Sequence, residues 1–289
     1  MTVFSGRDAI RGFLEEFDGW LSEPVTVSLI GGSAMTVQGL KAQTEDIDLA
    51  LGVSEEFDHV FERLQAQGFT VVDEPTADFE GVGRTLEMTH EDRGIQLDLF
   101  DRQVVGKVWL TDRMHNRAEA FWTGEHVTAE ILSDEDLFLL KAVSGGDLAS
   151  GRRRDIEDMR TYAQRGLDYE TIVSEIDDQR PFNTGATEAR QIRDRSHPLF
   201  AIEVAVDSLT GLPASFTSRI EDLGTEFEIE YAVLEAVDDG VQDIEAVRER
   251  VFSRVQTLSE TDQAPVEQAI ERLVDKQVLT RDGQTVRVQ

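Results

Sequence analysis

Residues 25–49 carry the pattern that most limits what this chain can become. An apolar run from Val25 to Ile30 ends in Gly31-Gly32-Ser33, and a short helical stretch leads to Asp46-Ile47-Asp48-Leu49. The run reads as a strand, the glycines as a turn, and the aspartates as part of a second strand. Residues i and i+2 of a strand share a face, so Asp46 and Asp48 project side by side while Ile47 and Leu49 face the core. Two neighbouring carboxylates beside a small, hydroxyl-bearing turn suit a divalent cation and a polyphosphate. Gly31 and Gly32 permit close backbone approach, and the start of a helix offers unpaired N–H groups to an anion. Ser33 stands where a helix N-cap would sit. Each half alone has a plainer reading. The turn can be an ordinary strand–helix connection with a serine cap. The Asp pair can be a solvated face in a chain with 58 acidic residues.

Taken together, Gly31-Gly32-Ser33 and Asp46-x-Asp48 resemble the hallmark of the DNA polymerase β nucleotidyltransferase superfamily, and within it the minimal and AbiE-type toxin nucleotidyltransferases. In those proteins the Asp pair sits in a run like Arg-x-Thr-x-Asp-Ile-Asp. Here Thr44, Asp46 and Asp48 match, whereas Ala42 occupies the arginine position. Lys41 is the neighbouring residue that can supply the missing charge.

The family needs a third acidic residue on a later strand. Asp98, between Leu97 and Leu99 in the run Gly94–Phe100, is placed to be that residue. An Asp among large apolar neighbours is costly to bury unless paired or metal-bound. The alternative is a half-exposed strand with Gln96 and Asp98 on its polar side. The resemblance implies that Asp46 and Asp48 hold two Mg²⁺ (or Mn²⁺) ions, with Asp98 completing one site and helping to activate the attacking hydroxyl. The ions would stabilise an in-line displacement on the α-phosphate of an NTP.

Downstream, Ser133 caps an acidic first turn ahead of Leu137–Leu140 and Lys141, and Gly145-Gly146 ends that helix. Arg152-Arg153-Arg154-Asp155, with Asp158 three residues on, opens another. Related nucleotidyltransferases carry a Lys on one helix, then Arg-x-Lys/Arg-Asp and a further Asp. Lys141, Arg152, Arg154, Asp155 and Asp158 match that pattern. By resemblance, Lys141 and the arginines contact NTP phosphates or a nucleic-acid acceptor. The other reading is an internal ion-pair network in which Asp155 and Asp158 pin the arginines.

The chain has 58 acidic and 28 basic residues, a formal net charge of −30. Lysine occurs only at 41, 107, 141 and 276. Such a composition is expected of a protein working in multimolar salt, where screening is strong, and points to a halophilic, haloarchaeal cytoplasm. No cysteine is present, which excludes disulfides and Cys-ligated zinc. The five histidines form no helical pair, so neither a histidine metal site nor a His-based triad is expected. No run reaches membrane-span length and no basic-then-apolar leader opens the chain. A soluble cytoplasmic protein is expected.

The expected fold is α/β (α+β): a mixed-sheet nucleotidyltransferase core with flanking helices, followed by a winged-helix-like domain. Residues 1–178 would form the nucleotidyltransferase-like domain with its helical extension. Helices are read over 7–21, 34–39 and 54–67. Strands are read at 25–30, 46–51, 70–72, 83–88, 95–100 and 126–129. Residues 179–225 would link the domains: a turn-rich stretch over 179–185, a polar helix over 186–195 and an apolar one over 199–209. Residues 226–289 would form the winged-helix-like domain, with helices at 228–238, 243–255 and 262–277 and a hairpin turning at Asp282-Gly283. Helix 262–277 shows Glu267, Gln268, Glu271, Arg272 and Lys276, not the basic face of a DNA reader. A packing or dimerisation role therefore competes with DNA binding.

The resulting expectation is a nucleotidyltransferase that moves an NMP from an NTP to a hydroxyl of RNA or tRNA, a protein or a small molecule. A cognate antitoxin or a second copy of the chain is the expected partner. The alternative is an inactive nucleotidyltransferase-like regulator acting on DNA or a partner through its winged helix.

Overall fold

The computed structural model describes residues 2–72, 84–104, 108–145, 153–179, 198–255, 258, 263–275 and 277–288. It divides into two compact units, residues 1–144 with 153–167, and residues 145–152 with 168–289. The first unit opens with β1 (Phe4–Ser5), α1 (Gly6–Asp18), β2 (Val25–Leu29), α2 (Gly31–Val37), β3 (Gln43–Thr44), β4 (Asp46–Leu51) and α3 (Ser54–Ala66). It continues with β5 (Thr70–Val71), β6 (Thr85–His90), β7 (Ile95–Asp101), β8 (Gln103–Val104), β9 (Val108–Trp109) and α4 (Asp112–Arg117). The strands β10 (Glu119–Thr123) and β11 (Val127–Ile131) and the helices α5 (Asp134–Gly145) and α6 (Arg153–Ala163) complete it.

Seven strands form one mixed sheet in the order β10-β11-β2-β4-β7-β6-β5. The pairs β4–β7 and β11–β2 are parallel, while β2–β4 and β6–β7 are antiparallel. Alternation gives the sheet two unlike faces. One carries Val25, Val27, Leu29, Ile47, Leu49, Leu51, Leu97 and Leu99, all at most 4% exposed. α3 lies on this side, its first residue Ser54 donating to Asp101 at 2.8 Å, with Phe57, Val60 and Leu64 buried. α1 buries Ile10, Phe13, Leu14 and Phe17. The other face carries Asp46, Asp48, Asp98, Ser28 and Glu130.

Two local readings need correction. The helix after the glycines starts at Gly31, not Ala34, and Ser33 is not its cap. Ser33 lies inside the first turn because its hydroxyl is taken up by Ile30 O and by the β4 backbone. The strand expected at 126–129 runs on to Ile131, and its antiparallel partner β10 was not foreseen in the sequence. Arg152, Gly146, the 186–195 helix and the 179–185 stretch beyond Gln179 lie outside the described residues.

The second unit holds α7 (Tyr169–Asp178), α8 (Pro198–Asp207), α9 (Ala214–Asp238), α10 (Ile244–Arg254), α11 (Gln263–Asp275) and the hairpin β12 (Leu279–Asp282)–β13 (Thr285–Val288). α9 is 25 residues long and begins well before the expected 228, running straight through Gly224. A Cβ at Gly224 would overlap the Glu203 carboxylate of α8, so the glycine allows the two helices to approach. Asp282 pairs with Thr285, so the hairpin turns at Gly283-Gln284, one residue later than read, with Gly283 at φ 59°. Arg272 points inward to Glu230, which is fully buried (2.7 Å), and Glu267 is paired with Arg248 and Arg281. Two charges of α11, Glu267 and Arg272, are thus taken up within the unit, while Glu271 and Asp275 are exposed. Among the described residues no helix is long and apolar enough to cross a membrane.

Candidate active site

Parallel pairing of β4 with β7 sets Asp48 directly opposite Asp98, with Asp46 one pleat away on the same face. The three carboxylates are half-buried, and one oxygen from each lies within 4.8 Å of the others. A small octahedral cation with metal–oxygen bonds of about 2.1 Å spans opposite ligands about 4.2 Å apart. The cluster is close to that size, and its donors are all hard oxygens, so the residues fit Mg²⁺ or Mn²⁺.

The glycine turn is built around one of these ligands. Gly32 N–H donates to Asp48 Oδ2 at 2.9 Å, and Ser33 Oγ accepts from Asp48 N at 3.0 Å. Gly31 has φ +55°, and a Cβ there would fall on the Asp48 carboxylate. At Gly32 an added Cβ would lie 2.5 Å from Thr44 Oγ1. Thr44, buried, donates to Asp46 Oδ1 at 2.8 Å. Gly31, Gly32, Ser33 and Thr44 thus orient the two β4 carboxylates. From the sequence the turn reads as a phosphate cradle or as an ordinary capped strand–helix connection, and its hold on Asp48 is not visible there.

Burial, and then the neighbouring charge of Asp46, push the Asp48 carboxyl up to about 6, against the opposing effects of Lys141 and the Gly32 and Ser33 N–H groups. Crowded carboxylates with too little compensating charge are what a dication would relieve.

Lys141 projects from α5 with its side chain 14% exposed and pairs with Asp155 (2.7 Å) and Asp158 (3.0 Å). Burial alone would lower its pKa, yet Asp155, Asp158 and Asp48 together hold it above the usual lysine value. Lys41 also reaches Asp158, at 2.7 Å. Among the described residues the ion-pair network has Lys41 and Lys141 as its cations. Arg154 is exposed and pairs with none of the described residues. Ala42, at the position of the motif arginine, is exposed, and its carbonyl accepts from Gly6 N.

The same sheet face holds a second polar group that sequence reasoning missed. Ser28 donates to Glu130 Oε1 at 2.7 Å, and His115 Nδ1 meets the same oxygen at 2.6 Å. A lone histidine in a short helix gives no sequence signal of this kind.

No family model and no curated protein matches the chain. Among solved structures it is similar to JHP933 from Helicobacter pylori, at 13% identity over 79% of this chain and 96% of that one, with a TM-score of 0.33. It is also similar to a "putative nucleotidyltransferase" from H. pylori, at 13% identity over 75% of this chain and 97% of that one, with a TM-score of 0.29. At these TM-scores the likeness carries no weight for fold or function, which rest on the sheet and the carboxylates described above.

Proposed function

We propose that this protein is a metal-dependent nucleotidyltransferase that moves an NMP from an NTP to a hydroxyl acceptor. The observation that carries the reading is the convergence of Asp46, Asp48 and Asp98 on one sheet face, with the Gly31–Ser33 turn bonded to Asp48. Those three aspartates would hold Mg²⁺ or Mn²⁺, which supplies charge neutralisation at the entering and leaving oxygens of an in-line displacement. Asp98 would also accept the proton of an acceptor hydroxyl. Gly31, Gly32, Ser33 and Thr44 fix the β4 carboxylates. Lys141, with Lys41 beside it through Asp158, offers ammonium groups to the NTP phosphates, and exposed Arg154 with Arg152 offers charge to phosphates or to a nucleic-acid acceptor.

In this reading residues 1–178 are the catalytic part and 226–289 a winged-helix-like module; the 179–225 segment read as a linker is not separate from that module, because α9 runs unbroken from Ala214 to Asp238. The inward-turned Arg272 favours a protein partner for that module, a cognate antitoxin or a second copy, over DNA. The acceptor class is RNA, including tRNA ends, or protein. The charge balance supports a salt-rich cytoplasm as its working environment.

The test is label transfer in high salt. The protein, Mg²⁺ or Mn²⁺ and each α-³²P-NTP are incubated with cellular RNA and lysate protein. Radioactivity that enters RNA or protein and vanishes with Asp46→Ala supports the assignment. Equal labelling by wild type and by both Asp46→Ala and Asp98→Ala sinks it.

A further inference from the structure

α4 is a two-turn helix with an anchor at each end. At its start, Thr111 Oγ1 accepts from Met114 N, and Met114 is fully buried. One turn on, His115 Nδ1 meets Glu130 of β11 at 2.6 Å, and Glu130 also accepts from Ser28 of β2. Two residues further, Arg117 grips Asp136 of α5 through two hydrogen bonds, at 2.6 and 3.1 Å. Asp136 is 1% exposed, and Ser133 Oγ donates to it at 2.9 Å. α4 therefore joins two strands of the sheet to the first turn of the helix that carries Lys141.

Its sheet end lies on the aspartate face. Glu130, Ser28 and Ala50 are in register across β11, β2 and β4, and Ala50 is one pleat beyond Asp48. Gly52 is the next residue on that side, and a Cβ there would stand 2.7 Å from His115 Nε2. Lack of a side chain at Gly52 is what lets the Nε2 tip of the ring approach the strand end. None of these groups is a candidate metal ligand.

We propose that His115 is a positioning residue of the site: held by Glu130, it fixes α4 as a strut between the sheet and α5, and so holds Lys141 in place relative to Asp48. This rests on the nucleotidyltransferase reading for its consequence in catalysis, though not for the strut itself. The charges that act on the ring are Glu130 from β11, Asp112 from α4 and Glu56 from α3. The Glu130 hydrogen bond and these three charges raise the His115 pKa above 6.5, outweighing burial. A histidine raised in the folded state contributes stability that is complete below its unfolded value and is lost as pH rises through its folded one. The clasp should therefore loosen on the alkaline side.

The test compares wild type with His115→Asn, whose amide N–H stands near the Nδ1 position but does not titrate. Hydrogen-exchange protection in α4 and the first turn of α5, corrected for intrinsic rates, should fall about fivefold in wild type as His115 deprotonates, and stay flat with pH in His115→Asn. In the same interval the KM for NTP should rise in wild type with kcat held, and not in the variant. Identical pH responses in the two proteins, in protection or in KM, overturn the proposal. If neither protein binds NTP at any pH, the enzymatic reading falls, and the exchange comparison alone decides the strut.

Discussion

Gly31 lies so close to Asp48 that any side chain at position 31 would occupy the space of the carboxylate. The backbone there is also left-handed, at φ +55°. Gly31→Ala should cost roughly 1–2 kcal/mol from the backbone conformation alone. By displacing Asp48 it should also weaken Mn²⁺ binding by about 10–100-fold, the usual range for a group that orients a ligand. Titration calorimetry with Mn²⁺ and a thermal melt of the variant check both halves.

Asp48 is raised from 3.8 to about 6, so the folded, metal-free protein takes up a proton that the unfolded chain releases between those values. The sign follows. The ionised carboxylate destabilises the metal-free fold fully above pH 6, and the penalty disappears as pH falls towards 4. Asp48→Asn should thus stabilise the metal-free protein at pH 7, by about 1–2 kcal/mol after allowance for solvent screening, while weakening metal binding. Wild-type Mn²⁺ affinity should decline as pH drops through about 6. Melts across pH 4–8 (roughly the span over which Asp48 titrates), with and without Mn²⁺, measure this.

Lys141 sits between two largely buried carboxylates, Asp155 and Asp158. Lys141→Ala should cost about 3 kcal/mol, because it leaves Asp155 with an unpaired buried charge while Lys41 still serves Asp158. Adding Asp155→Asn should recover much of that loss. The double variant should nonetheless show a raised KM for NTP with Mn²⁺ affinity unchanged. Denaturant unfolding and steady-state kinetics on the pair of variants separate the two roles.

At net charge −30 the chain repels itself strongly in dilute buffer. Its melting temperature should climb steadily between about 0.1 and 2 M KCl as the Debye length falls to a few ångströms. A melting temperature that does not change with KCl would remove the halophilic interpretation.

Much of the site was legible because its logic is local. Alternation placed Asp46 and Asp48 on one face and Asp98 on the polar side of its strand, and the structure has them there. What was not legible depends on pairing between distant segments. The register that sets Asp98 against Asp48 joins strands some fifty residues apart and could not be read from either one. Ser33 looked like a cap because its position, not its partner, is visible in sequence; its hydroxyl serves β4 instead. Lys41 meets Asp158 across 117 residues. No local pattern separates that pairing from the arginine contacts expected for Asp158. The helix read from 228 begins at Ala214 and passes through Gly224, where the close approach of Glu203 leaves no room for a side chain.

The most direct test of the central claim is Mn²⁺ binding, followed by electron paramagnetic resonance, in wild type and in Asp98→Asn, each with and without a non-hydrolysable NTP. A three-aspartate centre predicts saturable binding in wild type that the nucleotide tightens. It also predicts affinity at least about tenfold weaker in Asp98→Asn, with the fold retained. Equal affinity in both proteins, or no saturable binding in wild type even with nucleotide, would contradict it.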